Sequence, residues 1–212
     1  MNETEQQGLV EKFAEDARER FEALYERMPS WEVPHPQPAF VELADRGWIR
    51  GTILDSGCGT GENALMLAAR GLDVFGIDLV PTAIGWARSK AQARGVPAAR
   101  FLVGDALRLD ALGMSFDTII DSGLFHAFGD VERALYVKSL EAVLKRGGEV
   151  HLLCWSDQQD GSDGPRRVSQ AEIRAAFASG WTVREIVPSR FVNNTHPGGA
   201  KAWRASVRRE LG

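Results

Sequence analysis

Residues Ile53–Gly61 read ILDSGCGTG: an apolar run, an aspartate, then glycines at 57, 59 and 61. This is a buried strand delivering the chain into a tight turn that opens a helix, the arrangement in which backbone N–H groups and a helix N-terminus face a nucleotide-like ligand. A dinucleotide fingerprint requires glycine or alanine three places after the second glycine, where Glu62 stands instead. No Lys-Ser or Lys-Thr follows to clamp a triphosphate. The loop therefore holds something other than a pyrophosphate, and its surroundings must say what.

Outward from the loop the chain alternates. TILDS is a strand and ENALMLAAR a helix, LDVFGID a strand, and PTAIGWARSKAQARG a helix with proline in its first turn. RFLVGDA, FDTIIDS and GEVHLLCW read as further buried strands, with the helix DVERALYVKSLEAVLK between the last two, stopped at Gly147-Gly148. The runs WTVREIVPSRFV and AKAWRASVRRE close the chain, joined by the turn-rich NNTHPGG with no helix between, so the last strand is antiparallel to its predecessor. The expected fold is α/β: a Rossmann-like, doubly wound, seven-stranded sheet, mostly parallel with an antiparallel last strand and helices on both faces. Ahead of it, residues 5–28 carry Leu9, Phe13, Ala17, Phe21, Leu24 and Tyr25 at helical spacing. Four prolines from Pro29 to Pro38 then forbid a regular helix. The expected organisation is a helix and proline-rich lid over residues 1–38 and a binding domain over 39–212.

At 212 residues, 44% hydrophobic and 25% charged, the chain is of ordinary globular make-up. A net charge of −4 supplies no basic field for nucleic acid. Cys58 and Cys154 are too few for a disulfide framework and too isolated for a metal centre. No secretory leader and no apolar run near 20 residues is present, so neither a membrane nor a nucleic acid partner is expected, and a cytoplasmic monomer or homodimer is.

Asp55, Asp78 and Asp105 end the first three strands, and in a doubly wound sheet those ends line one crevice. Three carboxylates suit a cationic, hydroxyl-rich cofactor. ILDSGCGTGENALMLAARGLDVFGIDLVPTAIGWA, with VGDAL downstream, resembles the class I S-adenosylmethionine-dependent methyltransferases. WEVPHPQPAF, DSGLFHAF, LLCWSD and GPRRVS are similar to the thiopurine and thiol methyltransferase-like group, including bacterial enzymes that methylate heterocyclic or phenolic toxins.

The resemblance implies S-adenosylmethionine as cofactor, S-adenosylhomocysteine as product and a small-molecule acceptor, with detoxification or secondary metabolism as the setting. It implies that Gly57, Gly59 and Gly61 admit the methionine moiety and that Asp55 faces its amino group. Asp78 would accept from the ribose hydroxyls; Asp105 and the Ala106 N–H would meet adenine. Ser122 would border the sulfonium and Trp31 would cover the cofactor. Ser56 departs from the glycine or alanine that many relatives carry there.

Methyl transfer from a sulfonium needs alignment and exclusion of water more than strong acid–base chemistry. His126 and Asp121 flank the acceptor position and are the candidate proton acceptors. Phe125, Phe128 and Trp155 are candidate walls for a flat acceptor, and Arg166 with Arg167 candidate partners of an anionic one. An NAD-linked oxidoreductase and a non-catalytic S-adenosylmethionine-binding protein are the alternatives.

Overall fold

The computed structural model describes residues 3–211, with the side chains of residues 3–7 left undescribed. Seven strands form one sheet: β1 (Thr52–Ser56), β2 (Asp73–Asp78), β3 (Ala99–Val103), β4 (Phe116–Ser122), β5 (Leu144–Trp155), β6 (Trp181–Phe191) and β7 (Ala200–Arg209). Their order is β3-β2-β1-β4-β5-β7-β6. The first five pair in parallel, whereas β7 is antiparallel to both β5 and β6. Strand order reverses beside β1, between β1 and β4, and this is where an open α/β sheet binds ligands.

The helices are α1 (Glu3–Tyr25), α2 (Pro38–Asp45), α3 (Glu62–Ala69), α4 (Pro81–Ala93), α5 (Asp130–Val143) and α6 (Gln170–Ala176). One buried cluster, with Tyr136, Leu140 and Phe177, fills the α5/α6 face of the sheet. A second, with Phe40, Leu43, Leu65 and Ile84, fills the α2/α3/α4 face. Strands covered on both faces read as the near-continuous apolar runs seen in the sequence.

Two helices lie outside the sequence expectation. α2 begins at Pro38, the last of the four prolines, because proline at a first helical position forfeits no hydrogen bond. The seven-residue α6 starts at a capping box in which Ser169 and Glu172 satisfy each other's backbone N–H groups. At the end of α5 the expected helix through Lys145 stops at Val143, and buried Leu144 is already extended and paired with Phe116.

α1 docks on α4. Tyr25 is buried, its ring edge-on to Trp86 at 6.0 Å and to Trp31 at 6.2 Å. Thr82 on α4 donates to Glu22 on α1. Leu24, read in the sequence as part of the apolar stripe, is among the exposed large hydrophobics, and of the described α1 residues only Val10 and Tyr25 are buried. The chain leaves α1 through Met28, which holds φ at 56°. From there residues 30–37 are fastened to the β6–β7 turn. Asn194 donates its backbone N–H to Ser30 O and its side chain to Glu32 O, and the Gln37 side chain both donates to and accepts from the Val192 backbone.

Candidate functional site

The glycine loop joins β1 to α3. Gly57 and Gly59 hold φ at 68° and 54°, a region that L side chains adopt rarely. A Cβ at Gly59 would stand 3.0 Å from the Tyr25 hydroxyl, and one at Gly57 the same distance from Leu124. The loop is therefore roofed by α1 on one side and by the turn after β4 on the other, with bare backbone between. Gly61 caps α3 in a left-handed conformation.

Asp55 is fully buried beneath this loop. Its Oδ2 accepts the Ala64 N–H at 3.1 Å, and its Oδ1 has no hydrogen-bond partner. Burial, reinforced by the nearby Asp121 and Asp78 carboxylates and only partly offset by the Ala64 N–H, pushes its pKa up to about 8. An orphaned buried carboxylate oxygen under a glycine cradle is what an ammonium-bearing cofactor requires, so the residues present fit the methionine end of S-adenosylmethionine.

Asp78, at the end of β2, accepts the Gly59 N–H and the Val80 N–H, both at 2.9 Å. Burial raises its pKa against those bonds. Each carboxylate oxygen has one lone pair left for a hydroxyl. Asp105 caps the 3₁₀ turn after β3 through Leu107 N–H at 2.8 Å, with its pKa raised by burial. It lines an open cleft of about 550 Å³ between α1 and the end of β3, alongside Arg18, Gly104 and Arg108. Ala106 is buried directly behind it. Asp55 and Asp78 lie together at the glycine loop, close enough for each carboxylate to act on the other, and Asp105 follows past the end of β3. Trp31 sits at the roof of the loop, its indole N–H 3.4 Å from the Tyr25 hydroxyl, and Ser122 ends β4 beside the loop.

Several residues have other roles than those expected. His126 Nδ1 accepts the Trp155 backbone N–H at 3.0 Å. Burial, together with the Arg133 and Arg167 charges, drives its pKa down to about 3, so the ring is neutral with its proton on Nε2. In that state Nε2 is a donor, which is the wrong sense for taking a proton. Asp121 is spent on the turn after β4, where it accepts from Leu124 at 2.8 Å and from Phe125 at 3.0 Å; burial raises its pKa to about 6. Phe125 is fully buried, stacked on Phe177 at 5.9 Å beneath the Arg133 guanidinium, and is core rather than wall. Phe128 packs on Tyr136 at 5.0 Å. Arg166 is paired with Asp130 and Glu172, both at 2.6 Å, which leaves no free charge for an anionic acceptor. Arg167 donates to the Gly161, Asp163 and Pro165 carbonyls and lies 4.8 Å over the Trp155 ring, ordering the loop that backs it.

Trp155 is buried, in the same core cluster as Phe191. With Phe191 and the His126 ring it forms an aromatic wall beside Gly123, where an added Cβ would meet Phe191 at 3.0 Å and His126 at 3.2 Å.

Sequence reasoning passed over a polar network beneath the loop. Thr60 donates to Glu32 at 2.8 Å, Lys90 reaches Glu32 at 2.8 Å and Glu62 at 2.9 Å, and Arg94 holds Glu62 bidentately at 2.7 Å. Burial opposes the charge on Glu62, but Arg94 and Lys90 overcome it and lower its pKa. The sole advance signal is the i, i+4 spacing of Lys90, in the last turn of α4, and Arg94, its C-cap.

Among the described residues no group of histidine, cysteine, aspartate and glutamate is arranged to hold a metal, and no helix is long and apolar enough to cross a membrane. Residues 53–148 match the family described as a methyltransferase domain. The 2-heptyl-1-hydroxyquinolin-4(1H)-one methyltransferase of Mycobacteroides abscessus is 36% identical over 168 residues, 78% of this chain and 74% of that protein. A probable thiol methyltransferase of Arabidopsis thaliana is 31% identical over 82% of this chain and 78% of its own. A solved structure from work on the conversion of a disulfide bond into a thioacetal group during echinomycin biosynthesis superposes with a TM-score of 0.84 at 37% identity, covering 92% of this chain and 94% of that one. The dinucleotide-linked alternative is not favoured by any of these. With a glycine cradle over an orphaned carboxylate, two further strand-end acids along the crevice and these relatives, the chain belongs to the S-adenosylmethionine-dependent methyltransferases of Rossmann-like fold.

Proposed function

We propose that this enzyme methylates a small, flat acceptor carrying an acidic O–H or S–H, seated against Trp155, Phe191 and the His126 ring beside Gly123. The observation that carries this reading is the aromatic wall at the carboxyl ends of β4 to β6, whose Phe191 and His126 rings close in on the missing side chain of Gly123. Relatives named for a hydroxyquinolinone and for thiols support the same acceptor class. Bound S-adenosylmethionine supplies an electrophilic methyl group with a neutral leaving group, so the chain's own task is to align the acceptor and exclude water. Asp55 holds the cofactor's ammonium, Asp78 its ribose hydroxyls and Asp105 with the Ala106 N–H its adenine. The Gly57, Gly59 and Gly61 backbone admits the methionine chain, and Ser122 borders the reacting centre. S-adenosylhomocysteine is the product.

α1 is the moving cover and residues 29–38 its fixed hinge. The helix buries few side chains of its own, whereas the proline segment is bonded to the β6–β7 turn. Closure brings Tyr25 over Gly59, against the fixed Trp31, and removes water from the sulfonium.

Incubation of the purified protein with S-adenosylmethionine and a panel of thiols, phenols and hydroxyquinolinones, read by mass spectrometry, tests the reading. Acceptors of these classes gain one methyl group; turnover confined to amines or to none of the panel refutes it.

A further inference from the structure

We propose that His196, on the turn between β6 and β7, is the catalytic residue that takes the proton from the methyl acceptor. The proposal rests on the acceptor site described above and adds to it the base that site otherwise lacks.

The two histidines at this end of the sheet are wired in opposite senses. His126 uses Nδ1 as an acceptor and keeps its proton on Nε2. His196 Nδ1 stands 3.2 Å from Asn193 Oδ1 and 3.0 Å from Thr195 Oγ1. The orientation of the Asn193 amide is fixed, because its nitrogen donates to Phe191 O while its oxygen accepts the Thr195 and His196 backbone N–H groups at 3.0 and 2.8 Å. The Thr195 hydroxyl spends its hydrogen on the same oxygen at 3.0 Å, and so turns a lone pair toward the imidazole. Both neighbours of Nδ1 are therefore acceptors, the proton of the neutral ring is on Nδ1, and Nε2 is a free acceptor. This is the base-and-orienter arrangement of acid–base catalysis, built with a buried asparagine in place of a carboxylate.

The turn is also in the right place. It follows the carboxyl end of β6 and is tied to Ser30 and Glu32 of the hinge. The half-buried His196 ring meets Trp155 edge-on at 5.0 Å, so it stands at the rim of the aromatic wall. The Arg167 guanidinium lies 4.8 Å over the same indole.

In the step proposed, the acceptor O–H or S–H bond breaks and its proton passes to His196 Nε2. The freed electron pair forms the bond to the methyl carbon, and the carbon–sulfur bond breaks with its pair remaining on the now neutral sulfur. One cationic centre is lost at sulfur and one is gained at the imidazole, so charge balances.

The test uses 4-nitrophenol, whose absorption reports its ionisation, added to the complex of the full chain with S-adenosylhomocysteine at a pH where free nitrophenol is mostly protonated. The wild-type complex binds it with an increased anion fraction. His196→Ala and His196→Gln bind it as the neutral phenol while keeping wild-type affinity for S-adenosylhomocysteine. In turnover, both variants lose about 10²-fold or more with an un-ionised phenol and keep their rate with an acceptor ionised beforehand, such as 4-nitrobenzenethiol. The same anion fraction in wild type and variants, or equal losses with both acceptors, overturns the assignment. Wild-type enzyme that neither binds these compounds with S-adenosylhomocysteine nor methylates either with S-adenosylmethionine overturns instead the acceptor class.

Discussion

Replacing Asp55 by asparagine should stabilise the ligand-free enzyme while weakening its hold on the cofactor. The carboxyl is fully buried with one oxygen unpartnered, and its pKa stands at about 8 against an ordinary 3.8. In the unfolded chain it is ionised at pH 7, so folding must take up a proton. The native state binds more protons than the unfolded state between these two values, so this group's contribution to stability falls as pH rises through that window and levels off above about 8. At about 1.4 kcal/mol per pH unit the penalty at pH 7 is at most about 4 kcal/mol, and relaxation around the site reduces it to an expected 1–3 kcal/mol. Asp55→Asn removes it. Thermal and urea denaturation without ligand should show the variant's advantage over wild type growing steadily from pH 4 to pH 8. Cofactor binding has the opposite sign. An ammonium beside Oδ1 favours the carboxylate, so wild-type affinity for S-adenosylhomocysteine should rise with pH up to about 8 with proton release, visible in calorimetry across buffers of different ionisation enthalpy. The variant should bind weakly and without that dependence. Equal stability of the two proteins at every pH, with unaltered affinity in the variant, would show that the Asp55 carboxyl neither suffers a burial penalty nor holds the cofactor's ammonium.

Asp78→Ala should weaken S-adenosylhomocysteine binding by about 1.5–3 kcal/mol, the worth of hydrogen bonds to a charged acceptor, measured by calorimetry; unchanged affinity would leave Asp78 as a clamp on Gly59 and Val80 alone. Hydrogen exchange in α1 from residue 8 to 25 should slow on adding S-adenosylhomocysteine, while residues 30–37 are protected throughout; α1 protected like the central strands without ligand would rule out a moving cover. Glu32→Gln removes the charge that Lys90 and Thr60 share between hinge and loop, and should cost about 1 kcal/mol of stability and a few-fold in cofactor affinity; denaturation and titration with no change would make the network incidental.

The sheet was legible because its central strands are covered on both faces, and buried strands with helices between them leave an unmistakable alternation in the chain. The meeting of Asp55 and Asp78 was legible for a related reason: both stand at the carboxyl ends of neighbouring parallel strands, and topology alone brings those ends together. The acceptor side was not, because proximity in sequence to the fourth strand does not tell which way a side chain turns. Phe125 and Asp121 point back into the core and the turn, and His126 reads as a base until its Nδ1 is seen to hold the Trp155 backbone. Arg166 illustrates the same limit on the surface, where carboxylates 36 and six residues away consume its charge. Tyr25 was visible as one member of an apolar stripe, but its place over Gly59 depends on how α1 docks on α4, which no local pattern encodes.

Direct titration of the ligand-free protein tests whether the crevice at the glycine loop holds S-adenosylmethionine. Calorimetry should give one site per chain for S-adenosylmethionine and for S-adenosylhomocysteine, with no heat from NAD at the same concentrations. Saturable NAD binding, with no response to either methionine-derived ligand, would contradict the account.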